Sequence, residues 1–270
     1  MNTNKVFIIT GASSGIGKAL AIACVKENNF VSISARNESK LNEVWNELEK
    51  INPTHTLMVV ADVSKEEDCK KIISQTVEKF GKIDVLINNA GISMRAMFSE
   101  LHLDVIRSLM NTNFWGTVYC TKYALPYIIQ QKGSIVGISS IAGLSPLPAR
   151  TGYSASKAAI QGFLNTLRVE LLKTNVHILI VAPGFTASNI RNTALVADGS
   201  MQGETPREEE KMMTAEAVAN KILHAIKKRK RLLILTAQGK ATVFLYKHFP
   251  KLADKIIYNH MKKEPNSPLP

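Results

Sequence analysis

The sequence predicts an α/β fold built on a doubly wound, mostly parallel seven-stranded sheet with helices on both faces. Short runs rich in β-branched residues alternate along the chain with amphipathic helical patterns. A glycine-rich segment follows the first of these runs and opens the first helical pattern. Strand, helix and strand in this rhythm imply right-handed crossovers, which place helices on both faces of a parallel sheet.

Seven apolar runs have the length and composition of buried parallel strands. They cover residues 6–10, 30–34, 57–61, 84–90, 134–140, 176–182 and 231–236. Helical patterns occupy residues 15–28, 38–50, 65–80, 101–131, 152–174 and 214–228. Neither an internal repeat nor a low-complexity linker interrupts this series. We therefore expect one domain over residues 1–236, followed by a basic helical C-terminal extension over residues 237–270.

The composition is that of a globular protein, with 45% hydrophobic and 21% charged residues among 270. No apolar run approaches the roughly 18 residues that a membrane-spanning helix requires. A strand-like run begins almost at the N-terminus, which leaves no room for a signal peptide. The three cysteines, Cys24, Cys69 and Cys120, lie far apart and lack the spacing of a metal site. We therefore expect a cytoplasmic protein with reduced thiols and no metal.

The glycine-rich segment TGASSGIG is typical of a Rossmann-like loop that binds a dinucleotide. Gly11 permits a tight turn, Gly15 lets the backbone approach a pyrophosphate, and Gly17 lets the next helix pack closely on the sheet. The N-terminus of that helix then points at the anion. A plain strand-to-helix turn is the alternative interpretation. The predicted cofactor contacts in this loop are Thr10, Gly11, Ser13, Ser14, Gly15, Ile16 and Gly17.

The end of the second strand indicates which nicotinamide cofactor is preferred. An acidic residue there binds the ribose 2′-hydroxyl of NAD, whereas an arginine accommodates the 2′-phosphate of NADP. The segment SISARNES has Arg36 and no carboxylate before Glu38. We expect NADP(H) to be preferred, with Arg36 binding the phosphate and Ser14 or Asn37 assisting. An arginine on a solvated loop is the alternative, which leaves NAD(H) open as the cofactor.

The segment TGYSASKAAIQ places a tyrosine four residues before a lysine. Residues at this spacing share one face of a helix, so the Tyr153 phenol and the Lys157 ammonium lie on the same side. A phenol with a pKa of about 10 is a poor acid at neutral pH, but a fixed cation nearby lowers that pKa. The small residues between them leave room for a flat ligand. An incidental pair on an amphipathic helix is the alternative, because the pattern alone is loose.

Together these motifs resemble those of the short-chain dehydrogenase/reductase family. The family's TGxxxGxG motif matches residues 10–17, and its NNAG motif matches residues 88–91. Its catalytic asparagine, in an NxxG context, falls on Asn113, and its catalytic serine falls on Ser140. The motifs keep the family's order from about residue 4 to residue 236.

The resemblance implies further contacts with the cofactor. They fall on Asp62, Val63, Asn89, Ala90, Gly91, Tyr153, Lys157, Pro183, Gly184 and Ser188. Ser188 stands where the family usually has a threonine. Many members that prefer NADP carry a lysine or arginine just before the second glycine of the loop, and this chain has Ser14 there. That departure leaves Arg36 as the main expected ligand of the 2′-phosphate.

The resemblance also implies that Asn113, Ser140, Tyr153 and Lys157 are the catalytic residues. Tyr153 is expected to be the general acid in reduction of a carbonyl and the base in oxidation of the alcohol. Lys157 is expected to lower the pKa of Tyr153 and to bind the cofactor ribose. Ser140 is expected to donate a hydrogen bond to the carbonyl oxygen. Asn113 is expected to hold a water that links Lys157 to solvent.

The substrate is less well defined by the sequence. Residues 184–213 are polar and contain glycine, which favours a lid over the substrate. Apolar side chains expected around the pocket are Met94, Met97, Phe98, Leu144, Leu147 and Phe185. They suit a bulky hydrophobic ketone, and packing beneath the lid is an equal alternative. Arginines that could meet an anionic head group are Arg95, Arg150 and Arg191, with a solvated surface position as the alternative.

The end of the chain carries most of the positive charge. Residues 221–270 hold twelve lysines and arginines against Asp254 and Glu264, which gives +10 of the net +12. Aromatic and aliphatic residues are interleaved with these lysines, as in helices that lie in a membrane interface. Packing on the domain or on a partner subunit is the alternative. No motif indicates binding of nucleic acid.

A looser resemblance concerns residues 193–200 together with the basic end. It points to a subgroup that includes reductases of acyl- and alkyl-dihydroxyacetone phosphate. We therefore expect an NAD(P)H-dependent oxidoreductase that interconverts a ketone and a secondary alcohol, with a hydrophobic or lipid-like carbonyl as substrate. The alternatives are a 3-oxoacyl-thioester reductase and a non-catalytic NADP(H)-binding regulator. The family leads us to expect a homodimer or homotetramer.

Overall fold

The computed structural model describes residues 4–186, 189–205 and 212–270. Its sheet has seven strands in the order β3-β2-β1-β4-β5-β6-β7, and every pairing is parallel. The strands are β1 Val6–Thr10, β2 Phe30–Ala35, β3 Thr56–Val60, β4 Val85–Asn88, β5 Ser134–Ile138, β6 His177–Ala182 and β7 Leu232–Ile234. The predicted doubly wound sheet is confirmed, and every strand begins and ends within two residues of its predicted bounds.

Helices cover both faces of the sheet. They are α1 Gly15–Lys26, α2 Glu38–Glu49, α3 Glu66–Phe80, α4 Leu103–Leu109, α5 Gly116–Gln130, α6 Thr151–Glu170, α7 Ala215–Lys227, α8 Ala237–His248 and α9 Pro250–Lys262. Side chains alternate between the two faces of a strand. Ile9 therefore packs with α1, α2 and α7, whereas its neighbour Ile8 packs with α3, α5 and α6.

The strand order reverses between β1 and β4. In open α/β sheets the crevice for a ligand forms at this point, outside the carboxyl ends of the strands. The carboxyl ends of β1, β4, β5 and β6 are Thr10, Asn88, Ile138 and Ala182. The segments that follow these four residues contain most of the predicted site residues.

The predicted continuous helix over residues 101–131 is interrupted. A π-helical turn, Met110–Trp115, separates α4 from α5. Asn113 lies in this turn and bonds the backbone of Ile92 through both atoms of its amide. The Thr117 hydroxyl, in the first turn of α5, donates to the Asn113 carbonyl oxygen at 2.8 Å. Sequence periodicity does not reveal such a turn. A π-helical turn adds one residue to the helical repeat and needs no glycine or proline to mark it.

The C-terminal residues form two helices that fold back on the domain. Pro250 is the first residue of α9, where its fixed φ suits a helix start. One face of α9 buries Ala253, Ile257 and Met261, and Leu147 and Leu245 pack against that face. None of the helices that the structure describes is long and apolar enough to span a membrane.

We expect truncation of Leu164 to cost much of the stability of the fold. Leu164 of α6 is fully buried and lies against Gly137 of β5. A Cβ added at Gly137 would lie 2.3 Å from the Leu164 Cδ1. Leu164→Ala leaves a cavity between helix and sheet and should lower the free energy of unfolding by about 2–5 kcal/mol. Urea denaturation followed by circular dichroism measures the loss. Leu172→Ala, at a side chain 73% exposed, is the control and should change it by less than about 0.5 kcal/mol. Equal losses in both variants would contradict this packing.

Candidate active site

The loop between β1 and α1 depends on glycine at close approaches. Gly11 has a φ of +65°, and a Cβ there would lie 2.7 Å from the Ala90 Cα. At Gly17 a Cβ would lie 2.4 Å from the Gly11 carbonyl oxygen, so the helix could not pack on its own loop. Ser14 precedes α1 without capping it through its side chain. Gly15 and Ile16, the first residues of α1, line the crevice, and a helix N-terminus in this position suits an anion.

Two predicted cofactor contacts hold this loop in place. The Thr10 hydroxyl accepts hydrogen bonds from the backbone N–H groups of Asn89, at 3.1 Å, and Ala90, at 3.0 Å. The Asn89 side-chain amide donates to the carbonyl oxygens of Thr10, at 2.9 Å, and Gly11, at 3.0 Å. These bonds join the end of β1 to the end of β4. Thr10 and Gly17 are buried beneath the crevice surface.

The end of β2 carries a basic cluster at the far side of the crevice. Arg36 is 58% exposed at its side chain, and its guanidinium lies 3.9 Å from the Asp62 carboxylate. The Asn37 side chain accepts from the Lys40 N–H and caps α2. Asp62 also accepts two hydrogen bonds from Ser64. Arg36, Asn37 and Lys40 line the crevice, so this end carries positive charge.

Lys157 lies deep in the opposite end of the crevice. It is 3% exposed, and its ammonium donates to the Ile138 carbonyl oxygen at 2.8 Å. The nitrogen lies 5.7 Å from the centroid of the Tyr153 ring, so the two side chains share a face of α6 as predicted. Burial lowers the pKa of Lys157 to about 8, because a low dielectric disfavours the charged ammonium.

Tyr153 is partly buried beside Ser140, which follows β5. Burial raises the pKa of the Tyr153 phenol, since the phenolate loses solvation. The hydrogen bond with Ser140 and the charges of Arg150 and Arg191 oppose that rise. The Ser140 hydroxyl also accepts from the Ala142 N–H at 3.1 Å, which fixes its oxygen at the strand end.

Asn113 is fully buried and supports this end of the crevice from behind. Its side-chain oxygen accepts from the Ile92 N–H at 2.8 Å, and its amide nitrogen donates to the Ser156 hydroxyl at 2.9 Å. A Cβ on Gly91 would lie 3.1 Å from the Asn113 Oδ1 and 3.2 Å from the Lys157 Nζ. Gly91 thus leaves these two groups close together across the floor of the crevice.

The crevice has a volume of about 840 Å³ and connects these two ends. Most of the predicted contacts line it, namely Gly11, Ser13, Ser14, Gly15, Ile16, Arg36, Val63, Asn89, Ala90, Gly91, Ser140, Tyr153, Lys157, Pro183 and Gly184. Ser188 falls outside the described residues. Leu147 and Phe185 line the crevice as expected, whereas Met94 packs into a separate core cluster and Phe98 is 60% exposed. Of the two methionines expected at the pocket, Met94 therefore belongs to packing, and Met97 does not line the crevice either.

A buried ion cluster joins the C-terminal segment to the site. The Glu264 carboxylate lies 3.3 Å from the guanidinium of Arg150 and 3.7 Å from that of Arg95. All three residues are less than a tenth exposed. Arg95 also donates to the Pro265 carbonyl oxygen at 2.7 Å. The sequence marked these arginines as candidates for an anionic head group, and nothing in it indicated Glu264 as their partner.

Known proteins share both the motifs and the fold. The family model described as short chain dehydrogenase matches residues 5–197. The 11-beta-hydroxysteroid dehydrogenase A of Arachis hypogaea is 43% identical over 201 residues, which are 74% of this chain and 56% of that protein. The chain thus spans about half the length of the curated plant relatives it matches.

Solved structures agree in fold. A short chain dehydrogenase/reductase from Burkholderia phymatum in complex with NAD has a TM-score of 0.83 at 23% identity, over 93% of this chain and 95% of its own. An alcohol dehydrogenase from the archaeon Thermococcus sibiricus complexed with 5-hydroxy-NADP has a TM-score of 0.74 at 24% identity, over 86% of this chain and 94% of its own. With the family match over most of its length, the chain belongs to the short-chain dehydrogenase/reductase family.

Proposed function

We propose that this protein is an NADP(H)-dependent oxidoreductase that reduces a ketone on a hydrophobic molecule to a secondary alcohol. One observation carries the proposal: Tyr153, Lys157 and Ser140 converge at one end of a crevice whose other end is a glycine loop at a helix N-terminus. Such a crevice suits a dinucleotide, and the three side chains suit proton transfer to a carbonyl oxygen.

The crevice fits a nicotinamide dinucleotide in size and in chemistry. Gly11 and Gly15 let the backbone approach a pyrophosphate, and the uncapped first turn of α1 attracts its charge. Gly91 carries no side chain that would block the approach to Lys157. The reduced cofactor supplies a hydride to the carbonyl carbon when it is bound. Lys157 and Tyr153 would hold the ribose beside the reacting group.

The side chains of this chain handle the proton. Ser140 donates a hydrogen bond to the carbonyl oxygen and orients it next to the Tyr153 hydroxyl. Tyr153 then gives its proton to that oxygen as negative charge develops there. Lys157 stabilises the resulting phenolate through its charge. Asn113 keeps α5 and the Ile92 backbone in place, and we propose that a water near it returns a proton through Lys157.

Arg36 supports a preference for NADP(H). It lies at the end of β2, on the side of the crevice where the adenosine ribose of a bound dinucleotide would sit. Its side chain is exposed and reaches Asp62 only at 3.9 Å, so a phosphate can compete for it. Lys40 lines the same end and adds positive charge. Of the two similar proteins of known structure, one is in complex with NAD and the other with 5-hydroxy-NADP.

A hydrophobic ketone is favoured by the walls near Tyr153. Leu147, Phe185, Ile190, Leu195 and Met201 line the crevice, and Leu195 shares a hydrophobic cluster with Tyr153. The similar plant proteins are named as hydroxysteroid dehydrogenases, and a steroid is a bulky apolar molecule. An apolar wall with a few polar groups at the reacting carbon is the usual form of such a pocket.

Tyr153→Phe tests the proton donor. The variant keeps the ring but cannot give a proton, so NADPH consumption with a ketone should fall at least ~100-fold. Cofactor affinity, followed by NADPH fluorescence, should change little because the crevice walls remain. Tyr246→Phe removes a hydroxyl from α8, outside the crevice, and is the matched control. Turnover that survives in Tyr153→Phe would rule out the proposed role.

Arg36→Gln tests the cofactor preference. Loss of a charged hydrogen bond to the 2′-phosphate should raise the KM for NADPH by about 10–100-fold. The KM for NADH should change by no more than about threefold, because that cofactor lacks the phosphate. Lys18→Gln removes one positive charge from α1, outside the crevice, and controls for net charge. Equal losses with both cofactors would argue against Arg36 as the phosphate ligand.

The pH dependence tests the charge of Lys157. The ammonium is present below its pKa of about 8 and is lost as the pH rises through that value. Since kcat/KM for NADPH reports on the cofactor-free enzyme, we expect it to fall ~tenfold per pH unit above about pH 8. A neutral amine neither stabilises the phenolate nor attracts the anionic cofactor. Initial rates at saturating ketone measure this profile, and a plateau up to about pH 10 would contradict it.

A further inference from the structure

The two C-terminal helices form the outer side of a second cavity next to the crevice. It has a volume of about 450 Å³ and lies between α8, α9 and the loops that follow β5 and β6. Its walls are mostly apolar and include Ile141, Leu147, Phe185, Ala241, Thr242 and Ile257. This volume lies within the range of small-molecule sites.

The cavity adjoins the crevice at the proposed catalytic residues. Ile141 and Leu147 line both spaces, as do Gly184 and Phe185. Ile141 directly follows Ser140 in the chain, so the cavity begins one residue from the hydroxyl that would bind the carbonyl oxygen. Leu147 stands between the two spaces and packs against Ile257 and Met261 of α9. A molecule held at Ser140 could therefore extend past Leu147 into the second space.

Specific contacts build the walls of this cavity. The first turn of α8 rests on the loop after Ser140, since a Cβ at Gly239 would lie 3.2 Å from the Ile141 Cγ2. The Thr236 hydroxyl caps α8 by accepting from the Gly239 N–H at 3.0 Å. Beyond α9, Glu264 is held by Arg150 and Arg95. Both helices are thus fixed to the domain on either side of the open space.

A space of this size with mostly apolar walls favours an apolar ligand over water. Protein interiors are close-packed and contain few voids larger than a water molecule. Water gains little in a space that offers few polar partners. The outer wall includes Phe244 and Ile256, which are 60% and 49% exposed, so the space also reaches the protein surface. A hydrocarbon chain could enter there and lie along α8 and α9.

We propose that this cavity binds the hydrocarbon chain of the ketone substrate, with the carbonyl group at Ser140 and Tyr153. The proposal rests on the proposed ketone reduction and specifies its substrate class as flexible long-chain ketones. Residues 237–262 then form part of the substrate site. Each methylene buried in the cavity should raise kcat/KM roughly fourfold until the space is filled.

A chain-length series tests this assignment. The substrates are straight-chain 2-alkanones from butanone to 2-dodecanone, and NADPH consumption gives kcat/KM for each. Ala241→Phe fills the cavity from α8 and should lower kcat/KM for the longest ketone at least ~tenfold. Butanone, which is too short to reach α8, should react within about twofold of the wild type. Asn259→Phe places the same aromatic ring at an exposed position of α9 outside the cavity and should match the wild type.

Binding of a hydrocarbon gives a readout that needs no turnover. The probe is cis-parinaric acid, whose fluorescence rises in an apolar site. The wild type and Asn259→Phe should bind it, 2-dodecanone should displace it, and Ala241→Phe should lose it. If Ala241→Phe does not fold, Thr242→Leu narrows the same cavity by a smaller step and serves in both assays.

The outcomes separate the two proposals. Ketone turnover without a rise along the series, or a rise unaffected by Ala241→Phe, overturns the cavity assignment and leaves ketone reduction standing. A wild type that does not bind the probe also overturns it. A wild type that binds NADPH and reduces no ketone in the series overturns ketone reduction for this substrate class, and the cavity assignment with it.

Discussion

The hydrogen bond between the Lys157 ammonium and the Ile138 carbonyl oxygen ties α6 to the end of β5. Two further bonds strengthen this joint, from the Ser139 hydroxyl to the Lys157 carbonyl oxygen and from the Gln161 amide to the Ser139 hydroxyl. Because α6 cannot rotate or slide without breaking them, Tyr153 keeps its position beside Ser140. Burying an ammonium disfavours its charge, so a cation at this depth requires a polar partner. The buried position in which these bonds hold Lys157 also lowers its pKa to about 8.

The two ends of the crevice differ in which groups they present, the backbone at the glycine loop and side chains at the other end. At the glycine loop, Gly11 and Gly17 must be small because a Cβ at either would lie within 3 Å of neighbouring backbone atoms, and in the proposed function the backbone there binds the cofactor. At the other end, the proposed chemistry depends on the side chains of Ser140, Tyr153 and Lys157, and a backbone carbonyl oxygen holds the Lys157 ammonium. The side-chain amide of Asn113 is an example of such support, because it makes hydrogen bonds with the Ile92 backbone and the Ser156 hydroxyl. A rigid support of this kind keeps reacting groups in place without contact with the substrate.

The sequence predicted local features well and long-range contacts poorly. The strands and the loop at residues 10–17 follow from composition and periodicity, which act over a few residues. The π-helical turn at Asn113 depends on its bonds to Ile92, twenty-one positions away, and periodicity carries no trace of them. The pairing of Glu264 with Arg95 and Arg150 spans more than a hundred residues. The second cavity likewise exists only because α8 and α9 fold onto loops that are distant in sequence.

The contact between Glu264 and Arg150 has a consequence for the order of assembly during synthesis. Arg150 precedes α6 directly, while Glu264 lies beyond α9, so more than a hundred residues are translated between them. The α/β sheet can form before the segment that neutralises this arginine has left the ribosome. Until then, the Glu264 carboxylate is not in place beside Arg150 and Arg95. The electrostatic environment of Tyr153, to which Arg150 contributes, is therefore completed only after α9 and Glu264 have been translated.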